Sequence, residues 1–291
     1  MFARLDRYLG FIPLNIQVMW TYRVRVLIFM INDLVLLLIQ YFLWSAVFGG
    51  NGGTLGTISL GQYLSYVALG MIFGRLTACG IDGNVGGTIK DGAIAMHLVR
   101  PYSFFGEQVA QQVGFTVGNL LALVPFVVIV AFLVPIASVS LTTVALTVLS
   151  LALTYVLALL VAFLLGLVAF WITNYWGLFL FKDQAIALFS GQVIAFNLLF
   201  QLANAPSGNF PVPFLPEELT KGLLTGLGYV AYATPFPSLY YVPSAIATGM
   251  LSTPTEIAWH LGMQAFWVLA MALVVWLTWG RALKRVTIQG G

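Results

Sequence analysis

Six long apolar runs constrain this chain more than any other feature of its sequence. Each is about as long as the 20 mainly apolar residues that a helix needs to cross a bilayer. None shows the alternation expected of a membrane barrel strand. Charged residues make up only 7% of the chain, too few to cover a water-soluble surface. We therefore predict an all-α membrane protein with six transmembrane helices, at Val24–Phe48, Leu60–Cys79, Glu107–Val134, Leu141–Thr173, Ala185–Ala203 and Glu256–Gly280.

The positions of the basic residues predict the orientation of these spans. Of the 12 Lys and Arg residues, Lys221 alone falls on the side opposite the N-terminus. Short basic loops face the cytoplasm, so we expect both termini to be cytoplasmic. The bases on that side are Arg4, Arg7, Arg23, Arg25, Arg75, Lys90, Arg100, Lys182, Arg281, Lys284 and Arg285.

Residues 1–22 carry apolar side chains at steps of three and four, which predicts an amphipathic helix on the membrane surface. Gly10 and Pro13 are expected to divide it into two pieces. The pattern leaves two roles open, an inert anchor or an elbow helix that transmits force to the first span.

The segment 82–101, between the second and third spans, predicts a short cytoplasmic helix. Thr88 and Asp91 match a helix capping box, and the glycines before them predict a flexible entry. Pro101 is expected to end this helix. The residues alone allow either a plain connector or a docking element for a cytoplasmic partner.

The segment 204–255 is interrupted by prolines and precedes the last span. Its composition predicts short extracellular helices that re-enter the membrane or lie on its surface.

Polar residues inside the spans are the candidates for a translocation pathway, because such residues are costly in a bilayer. Asp33 beside Asn32 in the first span either contacts a substrate or forms a structural contact, for which Arg23 and Arg75 are the expected partners. Neutral amides in the fifth span either contact a substrate or join helices. These amides are Gln192, Asn197 and Gln201.

The sequence predicts neither a metal site nor an enzyme active site. Cys79 is the one cysteine, and His97 and His260 lie far apart without a paired ligand motif. The glycine-rich segment does not match a phosphate-binding loop.

The order of several short motifs resembles the six-span permease subunits of type-2 ATP-binding cassette (ABC) transporters, in the bacterial branch with a separately encoded ATPase. The resemblance covers nearly the whole chain. The motifs are Tyr22-Arg23, Leu98-Val-Arg-Pro101, Pro211-Val-Pro-Phe-Leu-Pro216, Thr234-Pro-Phe-Pro237, Tyr240-Tyr-Val-Pro243 and the basic end from Arg281 to Gly291.

This resemblance implies an exporter subunit in a bacterial inner membrane, with the pathway between two permease chains that are identical or paralogous. ATP and Mg would be bound by a cytoplasmic ABC ATPase, with no cofactor on this chain and no nucleic-acid partner. Segment 82–101 would then be the coupling helix that contacts the ATPase. Its expected coupling residues are Thr88, Ile89, Asp91, Met96, Leu98, Arg100 and Pro101.

Three other function classes remain to be compared with this one. An ion-coupled secondary transporter would use Asp33 as its carboxylate. A membrane-embedded enzyme would need a catalytic constellation within the spans. A scaffold without transport activity would need neither.

Overall fold

The computed structural model describes residues 10–21, 23–49, 53–133, 140–172, 176–204 and 217–285. Within these residues the protein is helical apart from a hairpin of two short strands, β1 (Thr54–Leu55) and β2 (Ile58–Ser59), paired antiparallel. The helices are α1 (Phe11–Thr21), α2 (Arg23–Gly49), α3 (Leu60–Thr77), α4 (Ile81–Lys90), α5 (Ile94–Leu98), α6 (Phe104–Leu133), α7 (Leu141–Leu167), α8 (Trp176–Phe189), α9 (Phe196–Ala203), α10 (Glu217–Tyr232), α11 (Tyr241–Ala247) and α12 (Pro254–Leu283).

Four helical stretches are long and apolar enough to cross a membrane: Leu27–Gly49, Leu60–Lys90, Leu141–Phe170 and Pro254–Leu283. A fifth, α6, reaches that length only as two pieces that meet at 45° between Leu120 and Ala122. Pro125 lies four residues after the bend and has no N–H for the carbonyl of residue 121. The prediction of an all-α membrane protein is confirmed.

The prediction of one continuous helix at Ala185–Ala203 is wrong. Instead, α8 ends at Phe189, Gly191 takes a left-handed backbone conformation with φ of 84°, and α9 begins at Phe196. The Tyr66 hydroxyl donates to the Gly191 carbonyl at 2.7 Å. This contact from another helix replaces a bond inside the helix, so the apolar run alone does not reveal the interruption.

The prediction of a capping box at Thr88 is also wrong. Thr88 lies in the last turn of α4, where its hydroxyl donates to the Asn84 carbonyl at 2.8 Å. The glycines expected to form a flexible entry lie inside α4. The helix ends because Gly92, with φ of 70°, adopts the left-handed conformation that commonly follows a helix C-terminus.

The predicted surface helix is described from residue 10 onward. α1 begins at Phe11 and contains Pro13 in its first turn, where the missing N–H costs no helical hydrogen bond. It packs along α6, and the ring of Phe11 meets that of Tyr102 edge to face. Residues 1–9 lie outside the described residues.

The segment before the last span is partly buried in the centre of the bundle. A 3-10 turn (Phe236–Leu239) and α11 pack between α3 and α7. Thr154 in α7 and Gln264 in α12 both donate to the Ser238 carbonyl, at 2.8 and 2.9 Å. These bonds hold the turn among apolar helices.

An aromatic core surrounds this segment. Its buried rings are Trp44, Phe48, Tyr63, Tyr66, Phe126, Phe196, Tyr240 and Tyr241. A second buried cluster joins α4, α6 and α7 around Ile81, Val85, Phe104 and Phe163. We call the end of the bundle that holds Arg75, Lys182 and Arg281 the basic end. The opposite end, which holds β1 and β2, is called the strand end.

Gly70 is required by the ring of Tyr240, which occupies the space of a side chain at that position. We expect Gly70→Ala to destabilise the folded chain by about 1–3 kcal/mol, because added volume forces the ring and backbone apart. The measurement is the thermal midpoint of the purified protein in detergent. Gly74→Ala is the matched control, since its Cβ would lie 3.8 Å from the same ring, an ordinary contact. Equal midpoints for the two variants would contradict this account.

Candidate functional site

A cavity of about 620 Å³ opens among α2, α3, α7 and α8 and extends inward to the 236–239 turn. Most of its wall is apolar, but both signs of charge are present. Its polar side chains are Asn32, Asp33, Arg75, Thr77, Cys79, Lys182, Asp183, Gln192 and Tyr240. A volume of this size suits a small molecule or part of an amphiphile.

The interruption between α3 and α4 forms part of the cavity wall. Ala78, Cys79 and Gly80 leave the helix there and line the cavity. Gln112 of α6 donates to the Ala78 carbonyl at 2.8 Å and accepts from the Gly80 N–H at 3.2 Å. One amide side chain therefore satisfies two backbone groups that the interruption frees.

Asp33 and Arg75 form a two-point ion pair on one side of the cavity. The Arg75 Nε and Nη2 atoms donate to the two Asp33 carboxylate oxygens at 2.7 and 2.6 Å. The guanidinium also lies 5.2 Å from the centre of the Phe29 ring. Such fork-shaped pairing fixes geometry as well as charge, so Asp33 joins α2 to α3.

Lys182 forms a second ion pair at the cavity. Its Nζ lies 2.7 Å from Asp82 Oδ2, and the two side chains are only 7% and 4% exposed. The same Nζ lies 3.3 Å from the exposed carboxylate of Asp183. A buried charge is tolerated when it is paired in this way.

The residues predicted for the pathway divide into two groups. Asn32, Asp33 and Gln192 line the cavity. Asn197 and Gln201 do not line it. Asn197 donates to the Met250 carbonyl at 2.9 Å and accepts from Tyr241, and Gln201 donates to Thr57 at 2.9 Å. These two amides join α9 to neighbouring segments.

Asp33 does not have the surroundings that a secondary transporter's coupling carboxylate needs. Such a carboxylate has to bind and release an ion, whereas both oxygens of Asp33 are bound by Arg75. Nothing in the described residues supports that alternative.

The predicted coupling residues lie in the last turn of α4 and in the segment between α4 and α6. Asp91, Met96, Leu98, Arg100 and Pro101 are exposed, whereas Thr88 and Ile89 are half-buried in α4. Met96 and Val99 are 62% and 84% exposed. We call residues 91–101 the basic-end hairpin, and its apolar tip is presented to the surroundings.

Glu107 holds this hairpin to the first turn of α6. Its side chain is only 2% exposed, and its two oxygens lie 2.8 Å from His97 Nδ1 and 3.3 Å from Arg100 Nη1. A buried carboxylate with charged or polar partners on a second element fixes the position of that element. The hairpin is thus attached to a span as well as to α4.

No sequence pattern identifies Glu107, Gln112, Asp82 or Lys182 as interacting residues. The apolar pattern places Glu107 at the start of the third span and Lys182 among the cytoplasmic bases. Each contacts a residue on another element; Asp82 and Lys182, for example, are 100 positions apart. The available signal was the rarity of charged residues in so apolar a chain. It predicts that each of them has a partner but does not identify the partner residue.

A model of the family described as ABC-2 family transporter protein matches residues 34–205, more than half of the chain. The matched region contains the cavity residues of α3, α7 and α8, both members of the Asp82–Lys182 pair, and the basic-end hairpin. No curated protein and no solved structure matches the chain.

We expect Glu107→Ala to raise amide hydrogen exchange in residues 91–103 about tenfold, because the hairpin loses charge-assisted bonds that hold it to α6. Gln111→Ala is the matched control, since Gln111 contacts the same carboxylate through one longer bond of 3.4 Å. Equal exchange in the two variants would show that Glu107 does not restrain the hairpin.

Proposed function

The chain belongs to the ABC-2 transporter family, and on that premise we propose that it is the permease subunit of an ATP-driven exporter. The subunit moves an amphiphilic or hydrophobic substrate outward along a pathway at the interface of two permease chains. The observation that carries this proposal is the cavity at the basic end, with apolar walls and a few paired charges. Such a cavity accepts the apolar part of an amphiphile and offers polar contacts to its head group.

The ATPase acts from a separate chain, which binds the ATP and Mg. The basic-end hairpin is the proposed docking site, because its exposed Met96, Leu98 and Val99 suit an apolar groove. Arg100 and Asp91 flank this tip and add polar contacts. Thr88 and Ile89 support it from within α4.

Six crossings fit the described helices if α8 and α9 together form an interrupted fifth crossing. Lys182 of α8 lies beside Asp82 at the basic end, and Gln201 of α9 reaches Thr57 at the strand end. The two helices therefore extend between the two ends of the bundle. With the basic end in the cytoplasm of a bacterial cell, the cavity opens toward the side of ATP hydrolysis.

A second permease chain, identical or paralogous, completes the pathway. Asn32, Asp33 and Gln192 line the proposed route within this chain. The other polar side chains of the cavity are Arg75, Thr77, Cys79, Lys182, Asp183 and Tyr240. Lipid surrounds the exposed apolar faces of α2 and α12.

We expect the chain, purified from membranes of its own host, to retain a protein that hydrolyses ATP. Val99→Asp should lower the retained amount about tenfold, because it places a charge at the centre of the apolar tip. Leu219→Asp is the matched control, since Leu219 is 52% exposed on α10, away from the hairpin. Absence of an ATPase from the unaltered complex would refute the proposed function.

In inside-out vesicles that contain the complex, we expect ATP to drive uptake of a fluorescent amphiphile from the surrounding buffer. The uptake should continue when a protonophore collapses the proton gradient at constant ATP, because the energy comes from ATP hydrolysis. A fluorescence assay over a panel of neutral, cationic and anionic amphiphiles measures both the direction and the head-group preference. Uptake that stops with the proton gradient would instead indicate ion-coupled transport.

A further inference from the structure

Lys182 belongs both to the wall of the cavity and to an ion pair with α4. It lines the cavity, and its Nζ is bound to Asp82 in the first turn of α4. The same helix leads through Gly92 into the basic-end hairpin. A buried ion pair therefore connects the helix that carries the hairpin with the helix that forms the cavity wall.

α4 is packed closely enough to transmit a displacement. A Cβ added at Gly166 of α7 would lie 2.7 Å from the Val85 Cβ and 3.2 Å from the Asp82 Cα. Ile81 and Val85 are buried in the same contact. Closely packed helices shift as units rather than deform continuously, so a movement of α4 carries the Asp82 carboxylate with it.

Resting on the proposed function, we infer that the Asp82–Lys182 pair is a positioning device that transmits movement of the ATPase-docking hairpin to the cavity wall. Separating the pair would leave the Asp82 carboxylate, which is only 4% exposed, without the ammonium group that compensates its charge, so the two side chains move together. Lys182 then displaces α8, on which Asp183 and Ile186 also line the cavity. Neither residue is required to contact the substrate.

The other ion pair of the cavity provides a matched comparison. Asp33 and Arg75 also line the cavity, but they join α2 to α3. Disrupting that pair perturbs the cavity wall without removing the connection between α4 and α8. A general loss of packing would affect both pairs, whereas a transmitting role is specific to Asp82 and Lys182.

Cys79 supplies a reporter that needs no knowledge of the substrate. It is the single cysteine of the chain and lines the cavity three residues before Asp82. The probe is N-ethylmaleimide, applied to the intact complex with its ATPase, either without nucleotide or with Mg-ATP and vanadate. The rate of labelling of the permease chain is measured after electrophoretic separation, with Cys79→Ser as the background.

The main variant is the double substitution Asp82→Asn with Lys182→Gln, which removes both charges at similar volume. Removing both members of a buried pair perturbs folding far less than removing one. The exchanged pair, Asp82→Lys with Lys182→Asp, tests for rescue. The comparison variant is Asp33→Asn with Arg75→Gln.

In the unaltered complex we expect nucleotide to change the Cys79 labelling rate by about threefold or more, as a shift between two conformations of the cavity. The double neutral variant should retain the ATPase but lose the response to nucleotide, measured as the ratio of its own labelling rates with and without nucleotide. The Asp33–Arg75 comparison variant should keep the response to nucleotide. The variant with the exchanged pair should recover that response.

A nucleotide response that persists in the double neutral variant would overturn the inference, as would its absence from the unaltered complex. Loss of the response in the Asp33–Arg75 comparison as well would also overturn it, since the effect would then not be specific. A complex that retains no ATPase would refute the proposed function itself. Retained ATPase without the expected response would refute only the role of the Asp82–Lys182 pair.

Discussion

Interrupted helices inside an apolar bundle need hydrogen-bond partners from elsewhere in the chain, and this requirement organises the whole structure. Gln112 bonds two of the backbone groups freed between α3 and α4. Tyr66 and Tyr63 bond the backbone between α8 and α9. Gln264 supplies one such bond to the turn before α11. Lipid cannot provide these bonds, and at each of these three interruptions a polar side chain of another helix supplies one.

These interruptions also create the cavity. A bundle of uninterrupted apolar helices would pack to the density of a protein interior and leave little space. Here the backbone turns aside at residues 78–80 and again after Phe189, and both places adjoin the cavity. The space that a substrate could occupy thus arises from the same features that the buried amides and tyrosines stabilise. Site and fold have a common physical cause.

Sequence patterns predicted the class of the fold because bilayer thickness translates directly into the length of an apolar run. They located α2, α3, α7 and α12 closely for the same reason. They failed at Ala185–Ala203, where the composition stays apolar through the interruption and only the tertiary contacts of Gly191 end the helix. They also failed at Thr88, where a capping pattern was overridden by a helix that had begun at Ile81.

The candidate site was predictable in part. The interaction of Asp33 could be predicted because a lone carboxylate in an apolar span requires a partner. Arg75 was one of the two partners expected. The roles of Glu107 and Lys182 could not be predicted, because both residues lie near the ends of spans, where charged residues are common. Their partners are determined by how helices pack side by side, which spacing along a single sequence does not encode.

The Asp82–Lys182 pair also has a consequence for how the chain is made. Lys182 is synthesised 100 residues after Asp82, which takes roughly 5–20 s at the usual rates of translation. During that interval the carboxylate has no Lys182 to compensate its charge, and α7, whose Gly166 accommodates α4, is also incomplete. The Asp82–Lys182 contact at the basic end therefore forms late, after α8 has been synthesised, and not in the order in which the helices are made.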